Sequence, residues 1–434
     1  MELIARKTKF LQGTLIPPGS KSHAIRGLLV SMLAKGKSVL HNLPESDDVN
    51  TAINVCRQLG VVVEHNQHHT HIISQGVPLR STVNCLHSGN SGITTRFLLP
   101  MLGLRRLKNQ VITLDCDQQM RQRPMRPLIE ALQSLGLTIN YLNHPGQLPI
   151  SVQGQLKGGH VNIDGLTSQY LSALLLALPC AEYDSVIRVL DLHERPYVDM
   201  TLSLLKKNNI RYFHETVGND DIFKIPSKQS WPIQQTHIAG DFSSASYLIA
   251  AAVLIPGMVT LHGMDMTDPQ GDKKLVTLLK LMGANISVDE KYKKLVIHGG
   301  HPLQGMDIDG NDIPDLLPTL AVIGTQAQGC TRINNVGHVR IKETDRIHSM
   351  VEGLTRLGAK IQAAEHHVII QNSSLLGAAG LNGYGDHRTV MALALAGIIA
   401  QGQTSITGAE AINKTFPQYV QMMQSLNANM EVTQ

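Results

Sequence analysis

Residues 354–362 read LTRLGAKIQ: the apolar end of a helical pattern, a glycine, then residues alternating between polar and apolar. The same phrase recurs as CRQLGVVVE at 56–64, LQSLGLTIN at 132–140, LKKNNIRYF at 205–213, LKLMGANIS at 279–287 and MQSLNANME at 423–431. The residues that break the helical pattern are Gly60, Gly136, Asn209, Gly283, Gly358 and Asn427, spaced 69 to 76 residues apart. Glycine and asparagine share a tolerance for the left-handed backbone that closes a helix C-terminus. Six closures at near-constant spacing therefore predict six structural repeats. Strand and helix patterns alternate around each closure, which gives a repeat of βαβαββ type and an α/β protein.

Two stretches divide the six repeats into three and three. SKQSWPIQQTHIAGDFSS at 227–244 is polar, contains proline and falls between the third and fourth repeats. KTKFLQGTLIPPG at 7–19 is strand-like and precedes a helix expected to begin near Ser22. Two similar domains are expected, with helices inside and sheets outside, meeting across a cleft.

The chain has 434 residues, enough for two or three domains, and 42% of them are apolar. Its 38 basic and 34 acidic residues leave a net charge of only +4. They are spread evenly, which excludes the electrostatic footprint of a nucleic-acid-binding protein. The longest apolar runs, such as 245–255, fall short of a membrane span, and the N-terminus MELIARKTKFLQG lacks a signal-peptide pattern. Cys56, Cys85, Cys116, Cys180 and Cys330 are odd in number and widely spaced, so neither a disulfide framework nor a zinc site is expected. A cytoplasmic protein fits these features.

EHNQHHTHII at 64–73 holds His65, His68, His69 and His71, a tempting metal cluster. The same place in other repeats reads NYLNHPGQLPI, VDEKYKKLVI and AAEHHVII. Each is strand, polar turn, strand, so a hairpin tip explains all four and no metal site is expected.

Chemistry gathers instead at the helix starts. IPPGSKSHAIRG places Ser20, Lys21, Ser22 and Arg26 where a Pro-Pro-Gly turn enters a helix. HSGNSGITTRF sets Asn90, Ser91 and Gly92 before the helix that carries Arg96. MRQRPMRPL offers Arg121, Arg123 and Arg126, with Pro124 suited to a first helical turn. GLTSQYLSALL opens an apolar helix with Thr167, Ser168 and Gln169. GYGDHRTVMAL sets His387 and Arg388 at a fourth such mouth, and INKTFPQYV sets Lys414 at a fifth. Exposed N–H groups and the helix dipole favour anions at these positions. One polar helix mouth needs no function; several bearing Lys or Arg at equivalent places in a repeat protein predict a site for substrates with several negative charges. Two carboxylates stand in this basic setting: Asp315 in NDIPDLLPTLAV and Glu343 in HVRIKETDRIHSM. They oppose anion binding, so proton transfer is the role that accounts for them, although Asp315 also fits a plain helix N-cap.

The phrases PGSKSHAIR, SGNSGITTR, RQRP, TSQYLSALL, RPYVDMT, GDFSSASY, IPDLLPTLA, RIKETDRI, GDHR and NKTFP, in this order over 17–419, resemble the 5-enolpyruvylshikimate-3-phosphate synthases of the enolpyruvyl transferase family. The resemblance implies two domains of three repeats each, with an interdomain active site. The first domain would be discontinuous, 1–18 with 237–434, and the second would span 19–236. The implied reaction moves the enolpyruvyl group of phosphoenolpyruvate to the 5-hydroxyl of shikimate 3-phosphate, releasing phosphate. No metal, organic cofactor, nucleic acid or membrane is implied, and a monomer is expected. Shikimate 3-phosphate would meet Lys21, Ser22, Arg26, Thr167, Ser168, Gln169, Tyr197, Asp315, His338 and Lys342. Phosphoenolpyruvate would meet Lys21, Asn90, Gly92, Arg123, Gln169, Arg346, His387, Arg388 and Lys414. Asp315, Glu343 and Lys21 would move protons.

The chain departs from the family pattern in places. Glu194 stands where a hydroxyl commonly meets the shikimate phosphate, His338 replaces a common Asn, and Thr167 replaces a frequent Ser. Ile93 and Phe97 are bulkier or more apolar than a common Thr and Pro. A sister enzyme that transfers enolpyruvyl to a UDP-sugar would carry a reactive Cys in the loop before Arg123-Pro124; here Gln118 leads and Cys116 lies on the preceding strand. RNA 3′-phosphate cyclisation on a related fold would need nucleotide-handling motifs and a nucleophilic His, which are missing. A noncatalytic anion-binding protein on the same scaffold would have no need of Lys21, Asp315, Glu343 and Lys414 together.

Overall fold

All six helix stops take a positive φ. In the computed structural model, which describes residues 1–66, 69–107 and 109–433, Gly60, Gly136, Asn209, Gly283, Gly358 and Asn427 lie at +80°, +103°, +55°, +107°, +86° and +73°. The residue after the stop folds back on the helix: Ala359 N–H donates to Leu354 O at 2.9 Å, and Ala284 N–H donates to Leu279 O at 2.9 Å. These bonds satisfy carbonyls that the helix end leaves open. They also turn the chain into the first of two antiparallel strands, as in Lys360–Ala363 with Val368–Gln371.

Among the described residues six four-stranded sheets result, one per repeat. In the second repeat the strands Cys85–His87 and Ile112–Asp115 are parallel, and Ile150–Gly154 and Leu137–Tyr141 follow antiparallel. Ser168–Ala177 crosses between the parallel strands of the third repeat, Gly159–Asp164 and Ser185–Leu190. A parallel pair requires such a crossover, and a helix supplies it.

The chain divides into two compact units, 1–20 with 239–434, and 21–238. Each contains three of the sheets and its own apolar core. In the unit 21–238 the helices Lys21–Leu33, Gly92–Met101 and Ser168–Ala177 are buried almost all round. Phe242–Leu254, Leu317–Gln326 and His387–Ile399 do the same in the other unit. Their sequences are apolar on every side and rich in Ala, Gly, Ser and Thr, as central helices require. The second helix of each repeat is amphipathic; Arg346–Arg356 buries Ile347, Met350 and Leu354 and leaves Arg356 exposed.

Two exchanges of chain complete the sheets. Glu2–Arg6 lies between Gln403–Thr407 and Met430–Thr433, antiparallel to both, and Leu11–Leu15 runs parallel to Gly257–His262. Gln235–His237, from the far end of the other unit, pairs with Lys35–His41. At the point where the chain leaves and re-enters the first unit, Ser20 N–H donates to Ala239 O at 2.8 Å.

The helix expected near Ser22 is present and begins at Lys21. Two local expectations change. Pro127, not Pro124, occupies the first turn of Arg126–Ser134. Asp315 sits in a 3-10 turn, Pro314–Leu316, and not at a helix N-cap, and its carboxylate accepts from two guanidinium groups. The histidines His65, His69 and His71 lie on a strand hairpin, Val62–His65 with His69–Gln75, and His68 lies outside the described residues.

Candidate active site

Within the unit 21–238 the starts of the three buried helices carry most of the polar residues singled out above. Ser91 caps Gly92–Met101 by accepting from Thr94 N–H, and Gly92 is the first residue of that helix. A side chain at Gly92 would collide with the Arg123 guanidinium and meet Arg96 Nη1 at 3.2 Å. Two guanidinium groups are thus folded over one helix N-terminus, and only the lack of a Cβ admits them. Arg96 is buried, donates to Gln169 Oε1 at 2.7 Å and to Pro124 O at 3.2 Å, and lies over the Tyr170 ring. Asn90 donates to Gln119 beside it. This is a fixed, partly desolvated positive site suited to a small anion with several oxygens.

Thr167 caps the neighbouring helix by accepting from Gln169 N–H at 3.4 Å. Its hydroxyl and Ser168 also turn to Glu194, whose carboxylate accepts from Ser168 Oγ at 2.8 Å, Ser168 N–H at 3.2 Å and Thr167 Oγ1 at 3.4 Å. Lys21, at the third helix start, donates to Asp48 at 2.8 Å. Arg26 is committed inside the unit: it donates to Thr201 Oγ1 at 2.9 Å, Tyr197 O at 2.8 Å and Ser22 O at 3.0 Å, and lies over the Phe97 ring. Burial pulls its guanidinium down to about 9, against the opposing influence of Tyr197, so it remains a cation at neutral pH. Arg26 ties the Lys21–Leu33 helix to Arg195–Lys207 and so fixes Ser22 and Tyr197. Ile93 is buried directly after Gly92.

In the other unit the singled-out residues form one ionic lattice. Arg346, only 1% exposed, donates to Asp315 at 2.7 Å, Glu343 at 2.8 Å and Asp386 at 2.8 Å, one carboxylate for each nitrogen. Arg388 donates to the second oxygen of Asp315 at 2.6 Å, and Lys414 lies 3.3 Å from Glu343. Asp386 caps His387–Ile399 by accepting from Arg388 N–H at 2.8 Å, and buried His387 follows it. Asp345 caps Arg346–Arg356 and pairs with Arg340 at 2.6 Å; Arg340 also donates to Ala364 O and Glu365 O. His338 is buried on the turn Gly337–Ile341, and Lys342 follows that turn. Lys414 lies on a 3-10 turn, Ala409–Lys414, and not at a helix mouth.

The lattice divides its carboxylates by protonation. Burial alone would push Asp315 up, but Arg388, Arg346 and Lys342 outweigh it and hold the carboxyl well below the usual range. Burial likewise opposes the charge of Arg346, and Asp386, Glu343 and Asp315 overcome it, so its proton is held more firmly than usual. Asp272 goes the other way. It is buried, takes a hydrogen bond from Ser243 Oγ at 2.5 Å, and is pushed up to about 7, first by burial and then by the charge of Asp315. Asp315, ionised beside Glu343, can accept a proton from a bound substrate, while four cations, Arg346, Arg388, Lys342 and Lys414, stabilise charge that develops on it.

Three acidic partners escaped the sequence reading. Asp386 was legible in principle, as the capping residue of GDHR. Asp48 and Asp272 carry no local signal, because their partners come from other helices. Among the described residues no group of three or more His, Cys, Asp or Glu is arranged to hold a metal ion, and no helix is long and apolar enough to cross a membrane.

The family model for EPSP synthase (3-phosphoshikimate 1-carboxyvinyltransferase) matches residues 5–423. A 3-phosphoshikimate 1-carboxyvinyltransferase from Acetivibrio thermocellus is 41% identical over 430 residues, with 99% of each chain covered. One from Methanocaldococcus jannaschii is 38% identical over 433 residues, again with 99% of each chain covered. Among solved structures, EPSP synthase from Acinetobacter baumannii matches over 100% of both chains with a TM-score of 0.82 at 24% identity. The enolpyruvyl transferase NikO from Streptomyces tendae matches 100% of this chain and 98% of its own with a TM-score of 0.79 at 15% identity. At those identities the two structures speak to the fold alone.

Proposed function

The chain belongs to the EPSP synthase family, and from that premise we propose how its side chains divide the work of the reaction. The reaction is transfer of the enolpyruvyl group of phosphoenolpyruvate to shikimate 3-phosphate, in the shikimate pathway to the aromatic amino acids. It needs one proton removed from the attacking hydroxyl and one delivered to the methylene carbon. A C–O bond forms in that addition; a methyl proton then leaves as the C–O bond to phosphate breaks.

Asp315 orients the hydroxyl and takes its proton, and Glu343 delivers one to the methylene carbon, with Lys21 sharing the acid–base work. Phosphoenolpyruvate is held by Asn90, the Gly92 amide, Arg123, Gln169, Arg346, His387, Arg388 and Lys414. Lys21 serves both substrates. Thr167, Ser168, Gln169, Ser22 and Tyr197 receive shikimate 3-phosphate, backed by Arg26, and His338 and Lys342 contact it as well. The observation that carries this reading is that Arg346 holds Asp315 and Glu343 on adjacent nitrogens, at 2.7 and 2.8 Å. Two carboxylates so placed among cations suit a reaction with two proton transfers and an anionic intermediate. We place the protein in the cytoplasm, as a monomer, without a cofactor.

Phosphate release from phosphoenolpyruvate should depend wholly on shikimate 3-phosphate; release without it, at the same rate, would contradict the assignment. Glu343→Gln should bind shikimate 3-phosphate within about threefold of wild type while turnover falls roughly a hundredfold or more, the scale of a lost general acid. Full turnover in that variant would remove Glu343 from the proton path.

A further inference from the structure

Glu194 is an acid in an improbable place. It is 1% exposed and lies at φ +56°, a conformation that a long side chain adopts at a cost. It occupies the N-cap position of Arg195–Lys207, yet its side chain makes no cap bond there. The carboxylate turns to the start of Ser168–Ala177 in the same unit and takes Ser168 N–H, Ser168 Oγ and Thr167 Oγ1. A backbone N–H at a helix start with two hydroxyls beside it is a seat for an anion, and here the protein's own anion fills it.

Those three donors belong to Thr167 and Ser168, assigned above to shikimate 3-phosphate; the inference rests on that assignment, with the phosphate as the group they take. A phosphate dianion and a carboxylate cannot share them: each donor has one hydrogen to give, and the two charges repel in a site largely closed to water. The start of the Arg195 helix is also anchored, since Arg195 pairs with buried Asp221 at 2.6 Å. Displacement therefore falls on Glu194 and its immediate turn.

We infer that Glu194 is an internal competitor for the phosphate of the substrate: it occupies the phosphate seat of the unliganded protein, must be displaced when shikimate 3-phosphate binds, and thereby lowers the site's affinity and its preference for the phosphorylated over the unphosphorylated sugar acid. A seat filled nine-tenths of the time weakens apparent binding about tenfold. Shikimate has no phosphate, makes no demand on the seat, and escapes this penalty.

The test measures dissociation constants for shikimate 3-phosphate and for shikimate in the full chain. The variants are Glu194→Asn, Glu194→Gln and Ser168→Ala, each checked for an intact thermal transition. Asparagine tolerates a positive φ and is one methylene shorter; glutamine keeps the shape and removes the charge. Glu194→Asn should bind shikimate 3-phosphate about tenfold more tightly than wild type and shikimate within twofold of it. Glu194→Gln should shift in the same direction. Ser168→Ala should weaken shikimate 3-phosphate alone. If Ser168→Ala weakens binding but both Glu194 variants leave it unchanged or weaker, the competitor role is wrong and the phosphate seat stands. Should Ser168→Ala leave shikimate 3-phosphate binding untouched, the seat itself is misassigned, and the inference falls with it.

Discussion

At Gly92 a single methyl group has a foreseeable chemical effect. Its Cβ would overlap the Arg123 guanidinium and crowd that of Arg96. Gly92→Ala should therefore raise KM for phosphoenolpyruvate roughly tenfold or more, the scale of a displaced bidentate contact. The dissociation constant for shikimate 3-phosphate should stay within about twofold, and equal changes for both substrates would refute the local reading. Asp272 offers a pH test. Burial first, then the charge of Asp315 and that of Asp241, raise its pKa from 3.8 to about 7 against the pull of Arg388 and the hydrogen bond from Ser243. The folded protein keeps a proton there that the unfolded chain releases above about pH 4. Its contribution to stability is thus full below that pH and is lost as pH rises towards and through 7. Asp315, held low, contributes in the opposite sense, and its share is lost only as pH falls below the ordinary carboxylate range. Asp272→Asn should flatten the fall in urea midpoint between pH 5 and pH 8, and an unchanged slope would show that Asp272 ionises normally. Much of the site was legible at this scale because Lys21, Gly92, Ser168, Arg346 and Arg388 all stand at helix starts. Asp272 was not, since nothing in QGDKK indicates that its carboxyl faces Asp315 from another repeat.

Among elements, the helix stop is the piece with interchangeable parts. Gly358 has a φ of +86°, and the nearest neighbour of an added Cβ would be Ser374 O at 3.6 Å, an ordinary contact. The requirement is therefore conformational and not steric. Gly358→Asn should change unfolding free energy by less than about 0.5 kcal/mol, as Asn209 and Asn427 already serve the same turn. Gly358→Val should cost about 1–2 kcal/mol, the penalty for a left-handed β-branched residue. Equal denaturant midpoints for the two variants would mean that the turn does not need a left-handed residue. The stops and the contrast between buried and amphipathic helices were readable because both depend on local backbone rules and on periodicity. The 3-10 turns at Pro314–Leu316 and Ala409–Lys414 were not readable, since the partners of Asp315 and Lys414 there, Arg388 and Glu343, stand about 70 residues away in sequence.

For the whole molecule, the exchanged strands decide which parts can stand alone. The unit 21–238 contains all three of its sheets, including Gln235–His237. Expressed as that fragment, it should unfold cooperatively in urea. The fragment 239–434 lacks Glu2–Arg6 from the middle of one sheet and Leu11–Leu15 from the edge of another, and should not. Joining 1–20 to 239–434 through a short glycine linker should restore a cooperative transition, because Ser20 and Ala239 already touch. A cooperative transition in 239–434 without the N-terminal strands would refute this dependence. The same exchange orders events on the ribosome. Leu3 pairs with Ile406 and Val432, so Glu2–Arg6 is synthesised about 400 residues ahead of its neighbours and waits for them. At about 5–20 residues per second that wait is roughly 20–80 s. During it Leu3, Ala5 and Leu11, fully buried in the finished protein, stay open to water and to any chaperone that reads exposed apolar segments. The unit 21–238 can close in that interval, and the unit 1–20 with 239–434 closes after it, around residues made long before.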